Sequence, residues 1–474
     1  MRLSLGAAAC VALLLVSGVA RATPSRVVSL GDLGRYMEDD TNVLLYPSLI
    51  STYSHFVYVD LGGPNGVQSS LSEIQTGGLN AGAFVRLGEG FQIGVLTSDF
   101  AASEESAFLT NVAAHSDMAN SASFLQLAQI QPVRRYDIIL GYGSPKDFSA
   151  GLRISYGGAS DTYTPDPSVK AVDPTNMNNH PARAFDQQSV SQFRLQGGVS
   201  FNFGGGTLLD GAIDYTNFGA SYLKNDESTF NGGGGNAIGF ALRLRVPITR
   251  FWTLIPQITY RGWFFNLGED WTLPAYGASD PTLSVPLDGG HETLTHGMTQ
   301  NYLDVGIAGE LKANKYATFW LAIGLSINSF NTNDSETDTM AKISTADASS
   351  ALTWGLPYIK FGTEVTPIEW ARLRIGVEKY ALAFSANVTN TNNNAEAGTP
   401  ITTNTGASGT APALDPTVNA LFAQYLPQDD FNAYLGASLI PIAGFTVDLL
   451  VQNNILEGSF VKGLAGRASV AYHF

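Results

Sequence analysis

The residues that most often carry metal or nucleophilic chemistry are sparse here: six histidines (His55, His115, His180, His291, His296 and His473) and a single Cys10. The one close histidine pair, in "HETLTH" from His291 to His296, misses the His-Glu-x-x-His spacing that puts two imidazoles on one helix face. It also sits in a polar stretch that reads as a loop. No serine stands in a Gly-x-Ser-x-Gly elbow. The sequence therefore predicts neither an enzyme nor a resident metal or cofactor. What remains is charge. Arg153, Arg194, Asp210, Asp214, Arg243, Arg245, Arg261, Lys360, Glu364, Arg372, Arg374 and Glu378 recur inside segments that are otherwise apolar at every second position. Within that set, Arg194, Arg243, Arg245, Arg261, Arg372 and Arg374 are the candidate lumen charge cluster. Unpaired around a wet bore they would select anions; paired across neighbouring strands they would satisfy one another.

Those spacings set the element. Ile238, Phe240, Leu242, Leu244 and Val246 point one way and Arg243 and Arg245 the other; Trp252, Leu254, Ile258, Tyr260 and Phe264 oppose Thr253, Gln257, Thr259 and Arg261. A period of two is that of a strand with one greasy and one wet face. A soluble sandwich and a membrane barrel both produce it. An arginine on a lipid face at mid-bilayer costs about 2–4 kcal/mol, so the charges belong to the lumen of a barrel.

The connections decide between the two. Strand-like segments pair around very short turns: 79–87 with 91–99, 134–143 with 148–158, 192–203 with 208–218, 236–246 with 251–265, 300–312 with 316–330, 354–365 with 370–384, and 430–440 with 445–452. Between pairs run long polar connections, above all 385–429. Short turns alternating with long loops are the mark of an outer-membrane barrel, turns periplasmic and loops outside. With 55–61 opening the series and 464–474 closing it, the count is about 16 antiparallel strands, 14 being the alternative. Tyr136, Tyr156, Phe201, Phe203, Tyr215, Trp252, Phe264, Trp354, Trp370, Tyr472 and Phe474 fall at strand ends as an interfacial girdle. A terminal aromatic strand ending on Phe474 resembles the signal read by the outer-membrane assembly machinery.

Residues 1–22 read as a secretory signal: Arg2, an apolar run from Leu3 to Val19, and the small-x-small site Ala20-Arg21-Ala22. Cys10 lies within it, which leaves no cysteine for a disulfide in the mature chain. With 50 glycines, 14% charged residues and a net charge of −15, the chain is too apolar for a disordered secreted protein and too acidic to expect nucleic acid as a partner.

Ahead of the first strand lies "SLGDLGRYMEDDTNVLLYPSLI", Ser29 to Ile50. Its Gly31 and Gly34, then Asp39 and Asp40, then Tyr46-Pro47-Ser48 resemble the N-terminal region of FadL and PorV-like outer-membrane proteins, where Asn-Pro-Ala stands in place of Tyr-Pro-Ser. The resemblance implies that residues 23–53 fold back as a plug, with Asp39, Asp40, Tyr46 and Pro47 in it, and that 54–474 form the barrel. It implies passive uptake of a small hydrophobic ligand, captured by apolar loop residues such as Phe108, Leu109, Phe124, Leu125 and Leu127. A general or anion-selective porin is the alternative. Outer-membrane lipids and lipopolysaccharide are the expected surroundings.

Overall fold

The computed structural model describes residues 23–53, 55–62, 79–88, 90–99, 134–162, 187–223, 233–272, 291–338, 343–394, 401–409, 431–454 and 465–474. The expected signal segment (1–22) and the loop residues Phe108, Leu109, Phe124, Leu125 and Leu127 lie outside the described residues.

Strands β1 (Phe56–Gly62), β2 (Leu79–Arg86), β3 (Phe91–Asp99), β4 (Arg134–Gly143), β5 (Phe148–Thr162), β6 (Gln187–Asn202), β7 (Leu208–Leu223), β8 (Gly233–Pro247) and β9 (Trp252–Thr272) each pair antiparallel with the next. The series continues through β10 (His291–Asn314), β11 (Ala317–Asp338), β12 (Ile343–Ile368) and β13 (Ala371–Asn394). β14 (Ile401–Gly409) pairs with the far end of β13 only, and the near end of β13 passes directly to β15 (Phe431–Ile442). β16 (Phe445–Asn454) and β17 (Ala465–His473) follow, and β17 returns to β1 with Phe56 opposite His473. Leaving β14 aside, the ring is a closed 16-stranded antiparallel barrel. Closure is continued past the strand by the Phe474 N–H, which donates to the His55 carbonyl at 3.0 Å.

The alternation of residue types becomes an alternation of environment. On β8, Ile238, Phe240 and Leu242 are exposed on the outer face while Arg243 and Arg245 are buried inside. Tyr136, Tyr156, Phe203, Trp252, Trp370 and Phe474 likewise stand outward, more than a third exposed. An apolar, aromatic-edged outer face around a closed ladder is the solution that lipid imposes, since every backbone group must be satisfied internally. Such a face fits a barrel that crosses a membrane, with its tight turns gathered at one end of the ring.

One expectation changes. Stretches read as long loops, among them "HETLTH" and most of 331–352, continue the ladder: β10 to β13 run 22 to 26 residues, against the roughly 9–11 that cross a bilayer. Their Thr, Ser and Asn-rich composition hid strands that need no apolar face once clear of lipid. The ladder pairs backbone groups that a free loop would leave to water.

Candidate functional site

The barrel interior is occupied by residues 23–53. α1 (Pro24–Ser29) starts on a proline suited to the first helical position. A 3₁₀ turn over Asp40–Leu44 follows, capped by Asp39: its carboxylate accepts from the Thr41 N–H at 2.9 Å, and its own N–H donates to Asn42 Oδ1 at 3.1 Å. A second 3₁₀ turn, Pro47–Ser51, again opens on proline.

The first stretch, residues 23–38, packs Val27, Val28, Leu30, Leu33 and Met37 against the β9–β17 wall and adds a set of charged contacts to it. Arg26 holds Glu364 at 2.9 Å and Asp39 at 3.0 Å. Glu364 is also held by Arg374 at 2.7 Å, and Arg374 reaches Asp448 at 2.7 Å. Thr23 donates to that same Asp448 at 2.6 Å. Lys360 bridges Asp32 at 3.3 Å and Glu378 at 3.0 Å. The Tyr36 and Tyr358 hydroxyls bond each other closely, and Tyr358 donates to Asp304 at 3.0 Å.

The second stretch, residues 39–53, lies against β2–β8 by shape. A Cβ on Gly151 would come within 2.2 Å of the Pro47 carbonyl carbon, and one on Gly198 within 3.0 Å of the Pro47 nitrogen. Those two inward positions must be bare for the backbones to touch. Wall side chains then satisfy the carbonyls of the segment: Arg153 donates to Leu44 O at 2.8 Å, Gln196 to Leu45 O at 2.9 Å and Arg86 to Ser51 O at 2.9 Å. Arg243 joins the two stretches. It pairs with Asp210 at 2.7 Å, donates to Met37 O at 2.9 Å, and lies 4.8 Å from the Tyr46 ring centroid.

Asp39, Asp40, Tyr46 and Pro47 are therefore all on the enclosed segment, and the first three are almost fully buried. Burial pushes the Asp40 carboxyl well above the usual carboxylate range, and the adjacent Asp39 charge adds to the shift. The nearest counter-group to Asp40 is His473, with Nε2 at 3.7 Å.

The six arginines all stand on the inward register, and every one faces a carboxylate. Arg194 and Arg261 share Asp214 at 3.4 Å each; Arg245 meets Glu310 at 2.9 Å; Arg372 lies 3.7 Å from Glu364, beside Arg374. A bare basic ring is thus not what lines this lumen. The sequence reading did not single out Arg26, Asp32, Tyr36 or Asp448, nor the glycine seats. The signal for the last was present: Gly151, Gly198, Gly362 and Gly376 fall on the register that elsewhere carries lumen polar side chains.

No family model and no curated protein matches the chain. Among solved structures it is similar to the toluene transporter TbuX of Ralstonia pickettii, at 9% identity over 97% of this chain and 100% of that one, with a TM-score of 0.40. It is similar to the toluene transporter TodX of Pseudomonas putida at 10% identity over 95% and 96%, TM-score 0.38. A third is the FrpB iron transporter from Neisseria meningitidis, at 10% identity over 90% and 83%, TM-score 0.32.

Proposed function

We propose that this protein is a FadL-like outer-membrane transport barrel, not an enzyme, for passive uptake of small hydrophobic molecules, closed at rest by residues 23–53 acting as a plug. The observation that carries the reading is the burial of that segment: Val27, Leu30, Leu33, Met37, Tyr46 and Ile50 are completely enclosed by the wall. A leader lying against the rim would leave them wet. The segment is also fixed to the wall by contacts that can be exchanged, since carboxylates such as Glu364 hold wall and plug arginines at once. When the segment moves away, Glu364 keeps Arg374, Lys360 keeps Glu378 and Arg26 keeps Asp39, so most of these buried charges stay paired.

In this mechanism the extracellular apolar loops capture the ligand, the plug gives way, and the molecule diffuses inward or sideways into the bilayer. Nothing in the lumen supplies energy; the gradient does. The porin reading needs an open bore with exposed cations, and the pairing of all six arginines speaks for a scaffold instead.

Single-channel conductance in a planar bilayer tests the proposal. Mature protein from residue 23 is expected to be silent, and protein lacking 23–53 to conduct steadily. A large open conductance in the intact protein would replace the plugged transporter with a porin. For the ligand, changing Phe108, Leu109, Phe124 and Leu125 together to serine is expected to abolish uptake of a small aromatic hydrocarbon into cells; unchanged uptake sinks the loop-capture step.

A further inference from the structure

The plug does not cover the whole inner wall. At the periplasmic end, between it and the inward faces of β5–β10, lies a recess of about 440 Å³. That volume is within the range of small-molecule sites. Its wall is continuous across the ladder: Leu208 pairs with Arg245, Pro247 with Thr253, and Thr253 with Glu310.

Three cations line it: Arg245 on β8, Arg250 in the β8–β9 turn and Lys312 on β10. Lys312 is brought beside the turn by its N–H, which donates to the Phe251 carbonyl at 2.9 Å. Against them stand two carboxylates. Glu310 takes Arg245 at 2.9 Å and Lys312 at 3.5 Å, and Glu38 of the plug meets Arg245 at 3.5 Å. Arg250 lies over the Phe251 ring at 4.4 Å and makes no ion pair among the described residues. The recess therefore carries an uncompensated positive charge, with the hydroxyls of Ser149, Thr249 and Thr253 around it. Glu38 is about half exposed and held by a long contact, which makes it the weakest carboxylate in the set.

We propose that this recess binds a small soluble anion bearing phosphate or carboxylate groups, entering from the periplasm, and that the anion takes the place of Glu38 on Arg245. Arg250 and Lys312 supply the charge-assisted hydrogen bonds that hold it. A lipid headgroup is the wrong occupant, because Arg245, Thr253 and Lys312 belong to the register that faces the lumen and not the bilayer. Since Glu38 is a plug residue, occupancy removes one of the contacts between plug and wall. The site stands whether or not the transported ligand is hydrophobic.

Titration calorimetry of the detergent-solubilised mature protein with inorganic pyrophosphate, at low salt and neutral pH, tests this. Saturable binding is expected, weakening as sodium chloride is added, because the site is open to screening. The double variant Arg250→Gln/Lys312→Gln should bind about tenfold more weakly or worse. Glu38→Gln, which removes the competing carboxylate, should bind more tightly than the parent. Heat-modifiable gel mobility establishes that each variant is a folded barrel. No saturable binding by the parent, or equal affinity in the double variant, overturns the site; unchanged affinity in Glu38→Gln overturns the displacement.

Discussion

The two stretches of the enclosed segment are docked by different physics. Residues 23–38 and 39–53 both lie on bare glycines, Gly376 approaching Gly31 as Gly151 approaches Pro47. Only the first adds a dense set of ion pairs, through Arg26, Asp32 and Arg35 to Glu364, Lys360 and Asp304. The second is held mainly by backbone carbonyls capped from the wall and by apolar packing of Val43, Tyr46, Leu49 and Ile50. A glycine seat fixes position without regard to pH or salt, whereas an ion pair can trade partners. The comparison teaches that form anchors both stretches and that the first adds contacts poised for exchange.

The largest effect should come from filling a seat. In Gly151→Val the new side chain meets backbone on the other side, where neither partner can swing away; overpacking of that kind costs about 1–3 kcal/mol. Steady conductance is expected from this variant in a planar bilayer. Gly376→Val, which meets Gly31 N at 2.2 Å, should do the same for the other stretch. A silent Gly151→Val barrel would break the idea that shape holds residues 39–53.

Next comes Arg26→Gln. Its loss removes the charged hydrogen bonds to Glu364 and Asp39, but Glu364 keeps Arg374 and Asp39 keeps the Thr41 N–H and hydroxyl, which offsets most of the loss. Brief openings, not a steady current, are expected, together with faster protease cleavage within 23–38 than within 39–53. Equal cleavage of the two would erase the distinction between them.

The smallest effect is that of pH. The folded value of Asp40 lies above its unfolded one, so the carboxyl's contribution favours the docked segment at low pH and fades as pH rises through the folded value. Asp40→Asn should therefore flatten the pH dependence of opening while leaving the low-pH behaviour close to the parent. A dependence that survives the substitution assigns it to another group.

Much of the fold was legible because a strand in lipid has to alternate. The stretch read as 134–143 coincides with β4, and each short turn contains, or follows within two residues, a Gly, Pro, Asn or Asp. Illegible were the extensions of β10–β13 beyond the membrane, where no apolar face is required and the period of two loses its contrast. The site divided in the same way. Asp39, Asp40, Tyr46 and Pro47 stood out by their resemblance to a known N-terminal segment, but their seats did not. Gly151 is one of 50 glycines; its inward register is legible, but the approach of Pro47 from a distant part of the chain is what makes it a seat.

The seam between β1 and β17 joins strands from opposite ends of the described chain. Until β17 is in place there is a curled sheet and no interior. Residues 23–53 run directly into β1, so the segment inside the ring is continuous with one side of the seam that closes it. Closure of so non-local a contact is slow. The plug's own docking on β5, β6, β12 and β13 can then act beforehand as a mandrel, holding the two ends of the open sheet at the curvature they need to meet.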